Sequence, residues 1–303
     1  MPPALIDTDP GVDDALALLA AWGTPSLAIE AITTVAGNVP VRTGTLNVFR
    51  LITLRGPLPM PVVAEGAAEP LTRSLRTATQ YHGDDGLGDL DDWPAVEPRL
   101  APEGAVDVML AAARRHASRL TLVALGPLTN VALAVAADAA AMRGIGRVVA
   151  MGGAVDVPGN VTPGAEFNIH VDPDAAARTL AAGLVLDLVP LDATRQAVLE
   201  RGALEQALRA APASYAARVL RFTARSFGVD RVRGTRGMVL HDPLAVGLAA
   251  DASLATWETA RLEVGADGET RRARGAPNVR IARTVDTPRF LRVFLEALCR
   301  VSS

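Results

Sequence analysis

From residue 4 to residue 189 the chain alternates short apolar runs with stretches of helical periodicity, and few folds accept that order. The runs at 4–6, 27–35, 61–63, 120–124, 147–151 and 184–189 read as strands, and 13–22, 41–54, 105–117, 129–137 and 173–181 read as helices. Strands separated by helices pair in parallel through crossovers, and a parallel sheet must be covered on both faces. The expectation is an α/β fold with an open, mainly parallel sheet and helices on both faces. Further along, 196–227 reads as helix, 256–283 as strands around the turn Ala266-Asp267-Gly268, and 287–298 as a terminal helix. No linker, repeat or low-complexity block interrupts the 303 residues, half of them apolar, so a single domain over 1–303 is the simplest account.

In such sheets ligands bind beyond the carboxyl ends of the strands. The first of those ends carries four aspartates in eight positions, Asp7-Thr-Asp-Pro-Gly-Val-Asp-Asp14. With Asp7 and Asp9 on one face of a strand end, Pro10 and Gly11 turn the chain, and Asp13 and Asp14 open the next helix. Carboxylates roughly 4 to 8 Å apart in a partly desolvated pocket repel by several kcal/mol unless a proton or a cation intervenes. Helix capping and the helix dipole account for one or two acids in a first turn. The other two call for a cation, and an all-oxygen set favours calcium or magnesium over zinc or copper. Turn-like segments at 35–38, 125–130 and 151–153 also follow strands, so four loops are expected on one rim.

Composition removes several functions. A net charge of -3 from 30 basic and 33 acidic residues, scattered without runs, leaves no footprint for nucleic acid or an anionic membrane. Every basic residue is arginine, which excludes a Schiff-base lysine and a Walker-type phosphate lysine. The single Cys299 excludes an internal disulfide and a thiolate cluster. Nucleophile elbow, HExxH pair and GxGxxG fingerprint are all missing from the sequence. The opening Met-Pro-Pro runs into the first strand without a basic or apolar leader, and no apolar stretch reaches spanning length, so the expected location is cytoplasmic.

Two more segments carry candidates. The long loop from Met151 ends at Asp172, which reads as a helix cap. Within it Asn160, Glu166 and Asn168 either hydrogen-bond sugar hydroxyls or satisfy the loop's own backbone. His241-Asp242-Pro243 reads alone as an ordinary helix opening; beside a metal site it supplies a ligand and a proton donor. His82, in Tyr81-His-Gly-Asp-Asp-Gly-Leu-Gly88, belongs either to a mobile lid or to plain surface, and His116 and His170 have no special context.

Taken in order, Asp7-Thr-Asp-Pro-Gly-Val-Asp-Asp14, Thr33-Thr-Val-Ala-Gly-Asn38, Gly126-Pro-Leu-Thr-Asn130, Met151-Gly-Gly153, Glu166-Phe-Asn168 and His241-Asp-Pro243 resemble the inosine-uridine preferring nucleoside hydrolases across the first 245 residues. The resemblance implies a tightly bound Ca2+ and hydrolysis of the N-glycosidic bond of ribonucleosides to ribose and free nucleobase. It implies that Asp7, Asp13, Asp242 and the carbonyl of Leu125 hold the calcium, and that Asp9 is the general base on a metal-bound water. Asp14, Asn38, Met151, Asn160, Glu166, Phe167 and Asn168 become the substrate-binding set, His82 a contact to the base, and His241 the candidate donor to the leaving base. A cytoplasmic homo-oligomer, dimer or tetramer, acting on small-molecule ribonucleosides in purine or pyrimidine salvage is implied as well.

The sequence departs from the family where the base should sit. Members often clamp or protonate the base with Tyr or Trp from a mobile segment, yet 218–240 holds neither, only Phe222, Phe227 and arginines. Purine or pyrimidine preference stays open on this reading, and His241 gains weight. Two other classes compete: a non-catalytic metal-dependent nucleoside- or ribose-binding protein, and an aspartate-nucleophile phosphatase. Retention of Asp9 and His241 argues against the first; Gly11, where the second needs a hydroxyl residue, argues against the second.

Overall fold

The computed structural model describes residues 1–232 and 234–300. Its centre is an eight-stranded sheet. The strands β1 (Pro3–Thr8), β2 (Ala28–Thr34), β3 (Val62–Glu65), β4 (Thr121–Ala124), β5 (Arg147–Met151) and β6 (Leu186–Val189) run parallel in the order β3-β2-β1-β4-β5-β6. The strand Val279–Val285 extends the sheet in parallel beside β6, and Ala255–Ala260 closes that edge antiparallel. Helices cover both faces, as the alternation predicts.

Period-two alternation feeds two separate cores. Val123, Val149 and Met151 point into one apolar layer, whereas Leu122, Val148 and Ala150 point into the other. The helix Val12–Trp22 is apolar nearly all round and is buried from Val12 to Ala21, because further helices enclose it. Arg55 ties the last of these down: its guanidinium donates to the carbonyls of Ala297 and Leu298 at the end of the helix Thr287–Cys299.

The stretch 196–227 departs from the expectation of one helix. Two helices, Arg201–Leu208 and Ala213–Val232, stand there, preceded by the short strand Val198–Leu199. Pro212 lies in the break, where it lacks the N–H a continuous helix requires. Around the turn at 266–268, Leu262–Val264 and Thr270–Arg272 pair antiparallel as expected. No helix among the described residues is long and apolar enough to cross a membrane.

Strand order reverses direction between β1 and β4, and at such a switch point the loops leaving neighbouring strands part to open a crevice. A cavity of about 600 Å³ lies there. Asp13, Asn38, Leu125 and Met151 line it, one from each of the four loops expected on the rim.

Candidate active site

β1 ends at Thr8, so Asp7 is its last inward acid and Asp9 already lies in the turn. The Asp7 Oδ1 accepts from Thr33 Oγ1 at 2.7 Å and Asn130 Nδ2 at 2.8 Å, while its Oδ2 is buried with no hydrogen-bond partner among the described residues. Asp9 repeats the pattern, with Oδ2 accepting from the Asn38 backbone N–H at 2.7 Å and Oδ1 buried without a hydrogen-bond partner among the described residues. Two glycines make room for it. A Cβ at Gly37 would stand 2.0 Å from the Asp9 Oδ2, and one at Gly126 would stand 2.6 Å from the Oδ1.

Asp14 differs from its neighbours. Its carboxylate accepts from Thr8 Oγ1, the Gly11 N–H and Asn38 Nδ2, at 2.5, 3.0 and 3.0 Å, so it caps the helix Val12–Trp22 as well as lining the cluster. Asp242 does not take the ordinary capping role its sequence context offers. The helix His241–Ala250 starts after Leu240 with no side-chain cap, and Asp242 sits buried in the first turn. Carboxylate atoms of Asp13, Asp14 and Asp242 lie within 4.8 Å of one another. That trio includes Asp14 where the sequence reading placed Asp7, although within the aspartate cluster it is Asp7 and Asp9 that have a buried oxygen unmet among the described residues.

Burial decides the protonation of the group. It pushes the Asp7 carboxyl up to about 7 against the hydrogen bonds from Asn130 and Thr33. Burial and then the Asp14 charge push Asp13 up to about 8 and hold Asp9 well above the usual carboxylate range. Asp242 is raised as well, by burial and then by Asp13. Near neutral pH such a group holds protons or a counter-cation, and two orphaned buried oxygens plus a clustered carboxylate trio fit a hard, oxygen-preferring ion.

The loop candidates satisfy the loop's own backbone and also line the cavity. Glu166 caps the short helix Phe167–Val171, accepting from Asn168 and Ile169 N–H groups and from Gly153 N–H, all within 3.2 Å. Asn160 Oδ1 accepts from the Phe167 N–H at 3.0 Å. Asn168 Nδ2 donates to the Leu125 carbonyl at 2.6 Å and reaches the Met151 carbonyl and sulfur. Glu166, Phe167, Asn160, Asn168 and Met151 nevertheless all line the cavity. The Leu125 carbonyl named as a ligand is therefore already oriented, by Asn168. Asp172 caps the helix Pro173–Ala181 as expected.

Both proposed histidines reach the cavity. His82 is not at the surface: it is 5% exposed in the short helix Thr79–His82. Its Nδ1 accepts from the Val12 N–H at 3.0 Å, which leaves the ring proton of the neutral form on Nε2. His241 Nδ1 bonds Thr194 Oγ1 at 2.8 Å. His116 and His170 pair elsewhere, with Glu30 and the Asp267 carbonyl. Sequence reasoning missed Tyr81, whose hydroxyl donates to Asp230 at 2.8 Å, and Asp230 itself, both in the cavity wall, and Thr194, which bonds His241. Tyr81 stood beside a singled-out histidine, but nothing in 218–240 set Asp230 apart from its exposed neighbours.

Fold and site together describe an α/β protein with a small-molecule pocket, walled by buried carboxylates, at the switch point of a parallel sheet. The chain belongs to the inosine-uridine preferring nucleoside hydrolase family, whose model matches residues 4–292. It is 40% identical over 249 residues to the pyrimidine-specific ribonucleoside hydrolase RihA of Salmonella typhimurium, covering 80% of this chain and 78% of that one. The purine-preferring ribonucleoside hydrolase from Gardnerella vaginalis superposes with a TM-score of 0.93 at 30% identity, over 99% of this chain and 98% of that one. The plant nucleoside hydrolase PpNRh1 does so with a TM-score of 0.92 at 32% identity, over 99% of each. The protein is accordingly an enzyme of nucleoside hydrolysis, which sets aside the non-catalytic and phosphatase readings.

Proposed function

We propose that the enzyme uses calcium to hydrolyse the N-glycosidic bond of ribonucleosides, giving ribose and free nucleobase, with Asp9 as general base. The observation that carries this reading is Asp9: one oxygen is pinned by the Asn38 N–H, the other is buried without a protein partner, and glycines at 37 and 126 keep the space around both. A carboxylate so fixed is placed to take a proton and cannot swing away.

Asp7, Asp13, Asp242 and the Leu125 carbonyl are the proposed calcium ligands, with Asp14 close enough to share the charge. When bound, the cation supplies charge neutralisation and the acidification and orientation of a water. Asp9 is the proposed base that would take the proton of the attacking water. The transition state of glycoside cleavage is oxocarbenium-like, and the surrounding carboxylates favour its positive charge. Asn38, Met151, Asn160, Glu166, Phe167 and Asn168, which line the cavity, form the proposed ribose side together with the buried Asp14; hydrogen bonds hold Asn38, Asn160, Glu166 and Asn168 in place. At the base end His241, held by Thr194, is the proposed proton donor, and His82 contacts the base.

The relatives bear names of opposite base preference, pyrimidine-specific and purine-preferring, so the proposed substrate class is ribonucleosides of either base. Resemblance to the family supports a cytoplasmic homo-oligomer, dimer or tetramer, that serves purine and pyrimidine salvage. The test is reducing-sugar release from inosine, adenosine, uridine and cytidine, with bound metal quantified on the same sample. Ribose release with about one calcium per chain is the expected result. Bound calcium without turnover of any of the four overturns the reading.

A further inference from the structure

Asp230 lies near the end of the helix Ala213–Val232, is 5% exposed, and lines the cavity. A single oxygen of its carboxylate, Oδ2, accepts two hydrogen bonds: from the Tyr81 hydroxyl at 2.8 Å and from the Val239 backbone N–H at 3.1 Å. Tyr81 immediately precedes His82, and Val239 lies two residues before His241. One buried atom on a third segment therefore joins the two segments that bring imidazoles to the pocket. Each imidazole is anchored separately through its Nδ1, His82 by the Val12 N–H and His241 by Thr194.

We infer that Asp230 is a positioning residue that sets how the His82 and His241 segments face each other across the departing nucleobase. The inference rests on the hydrolase reading above. Hydrogen bonds to a carboxylate are about twice as strong as neutral ones, so this junction is stiffer than a backbone turn at the same place. Displacement of a positioned group by about 1 Å can cost on the order of a hundredfold in rate. The helix itself does not depend on Asp230 for its seat: Arg218 and Arg221 pair with Asp92 at 2.6 and 2.5 Å, Arg225 pairs with Asp89 at 2.7 Å, and Phe222 is fully buried.

The decisive experiment compares Asp230→Ala, Asp230→Asn and Tyr81→Phe with the wild type on the best nucleoside and on nitrophenyl riboside, whose leaving group departs without a proton. Thermal midpoints are recorded for each. Asp230→Ala is expected to lose at least about tenfold more kcat on the nucleoside than on nitrophenyl riboside. Asp230→Asn keeps an acceptor oxygen for both donors and should recover nucleoside turnover to within about threefold of wild type. Tyr81→Phe, which removes one arm alone, should show the same selective loss at smaller size, and it carries the test if Asp230→Ala does not fold. Equal losses on both substrates, or an Asn variant as poor as the Ala variant, overturn the positioning role while the hydrolase reading stands. A wild type that cleaves neither substrate overturns both.

Discussion

Asp9 shows how a single residue is prepared by its neighbours. Its two oxygens are treated differently, one bonded to the Asn38 N–H and one left without a partner, and the wall beside the second is a glycine. Removing the carboxylate should abolish turnover without removing the cation, since Asp7, Asp13 and Asp242 remain. Asp9→Ala is thus expected to bind calcium in a calorimetric titration and to release no ribose; an active variant would defeat the mechanism. Gly126→Ala puts a methyl 2.6 Å from the Asp9 Oδ1, so the acid must shift. We expect a loss of about tenfold or more in kcat with a thermal midpoint near wild type. His241→Ala should slow purine nucleosides more than nitrophenyl riboside, and equal slowing of both would remove it as the acid.

At the scale of elements, the site is assembled by contacts between helix starts and strand ends. The first turn of Val12–Trp22 presents Asp13 and Asp14 to the cluster and its Val12 N–H to His82, so one helix end organises both the carboxylates and an imidazole. Gly11 makes that approach possible: a Cβ there would lie 2.6 Å from the His82 Nδ1. Gly11→Ala should therefore push the helix Thr79–His82 outward and raise KM for nucleosides by about tenfold, with a smaller change in kcat. A variant with unchanged KM would show that His82 does not touch the substrate. The elements themselves were largely legible: 129–137 and 173–181 are helices as read, and β5 is the strand as read. The misread one, 196–227, has strong helical periodicity on both sides of Pro212, and composition rich in alanine hid the break.

For the whole molecule, the carboxylate cluster couples stability to pH and to cation. Asp7 and Asp13 are raised to about 7 and about 8, and Asp9 and Asp242 lie well above the normal range, all chiefly through burial. A raised carboxyl pKa means that the folded chain holds protons which the unfolded chain gives up above about pH 4. The folded state then binds more protons than the unfolded one, and metal-free stability falls as pH rises from about 4 towards about 8. Asp156, lowered to about 2 by Arg272 and Arg283, acts with the opposite sign but only below that window. Metal-free protein should melt lower at about pH 8 than at about pH 5, and added calcium should raise the midpoint more at the higher pH. A metal-free midpoint that climbs across this range would contradict the clustering of charge.

Sequence alone determined the layered α/β architecture and the aspartate-rich strand end that suits a cation, because each depends on periodicity or on spacing within a few residues. Tertiary structure decided which acid keeps an unmet oxygen, that Asp14 spends its oxygens on a cap, and that His82 is buried against Val12. It also decided the joining of Tyr81 to Asp230, 149 positions apart, and of His241 to Thr194, 47 apart. Such pairs carry no local signature: a side chain's partner across the fold depends on how strands, helices and loops pack, and burial, which sets the protonation of the whole cluster, exists only once they have.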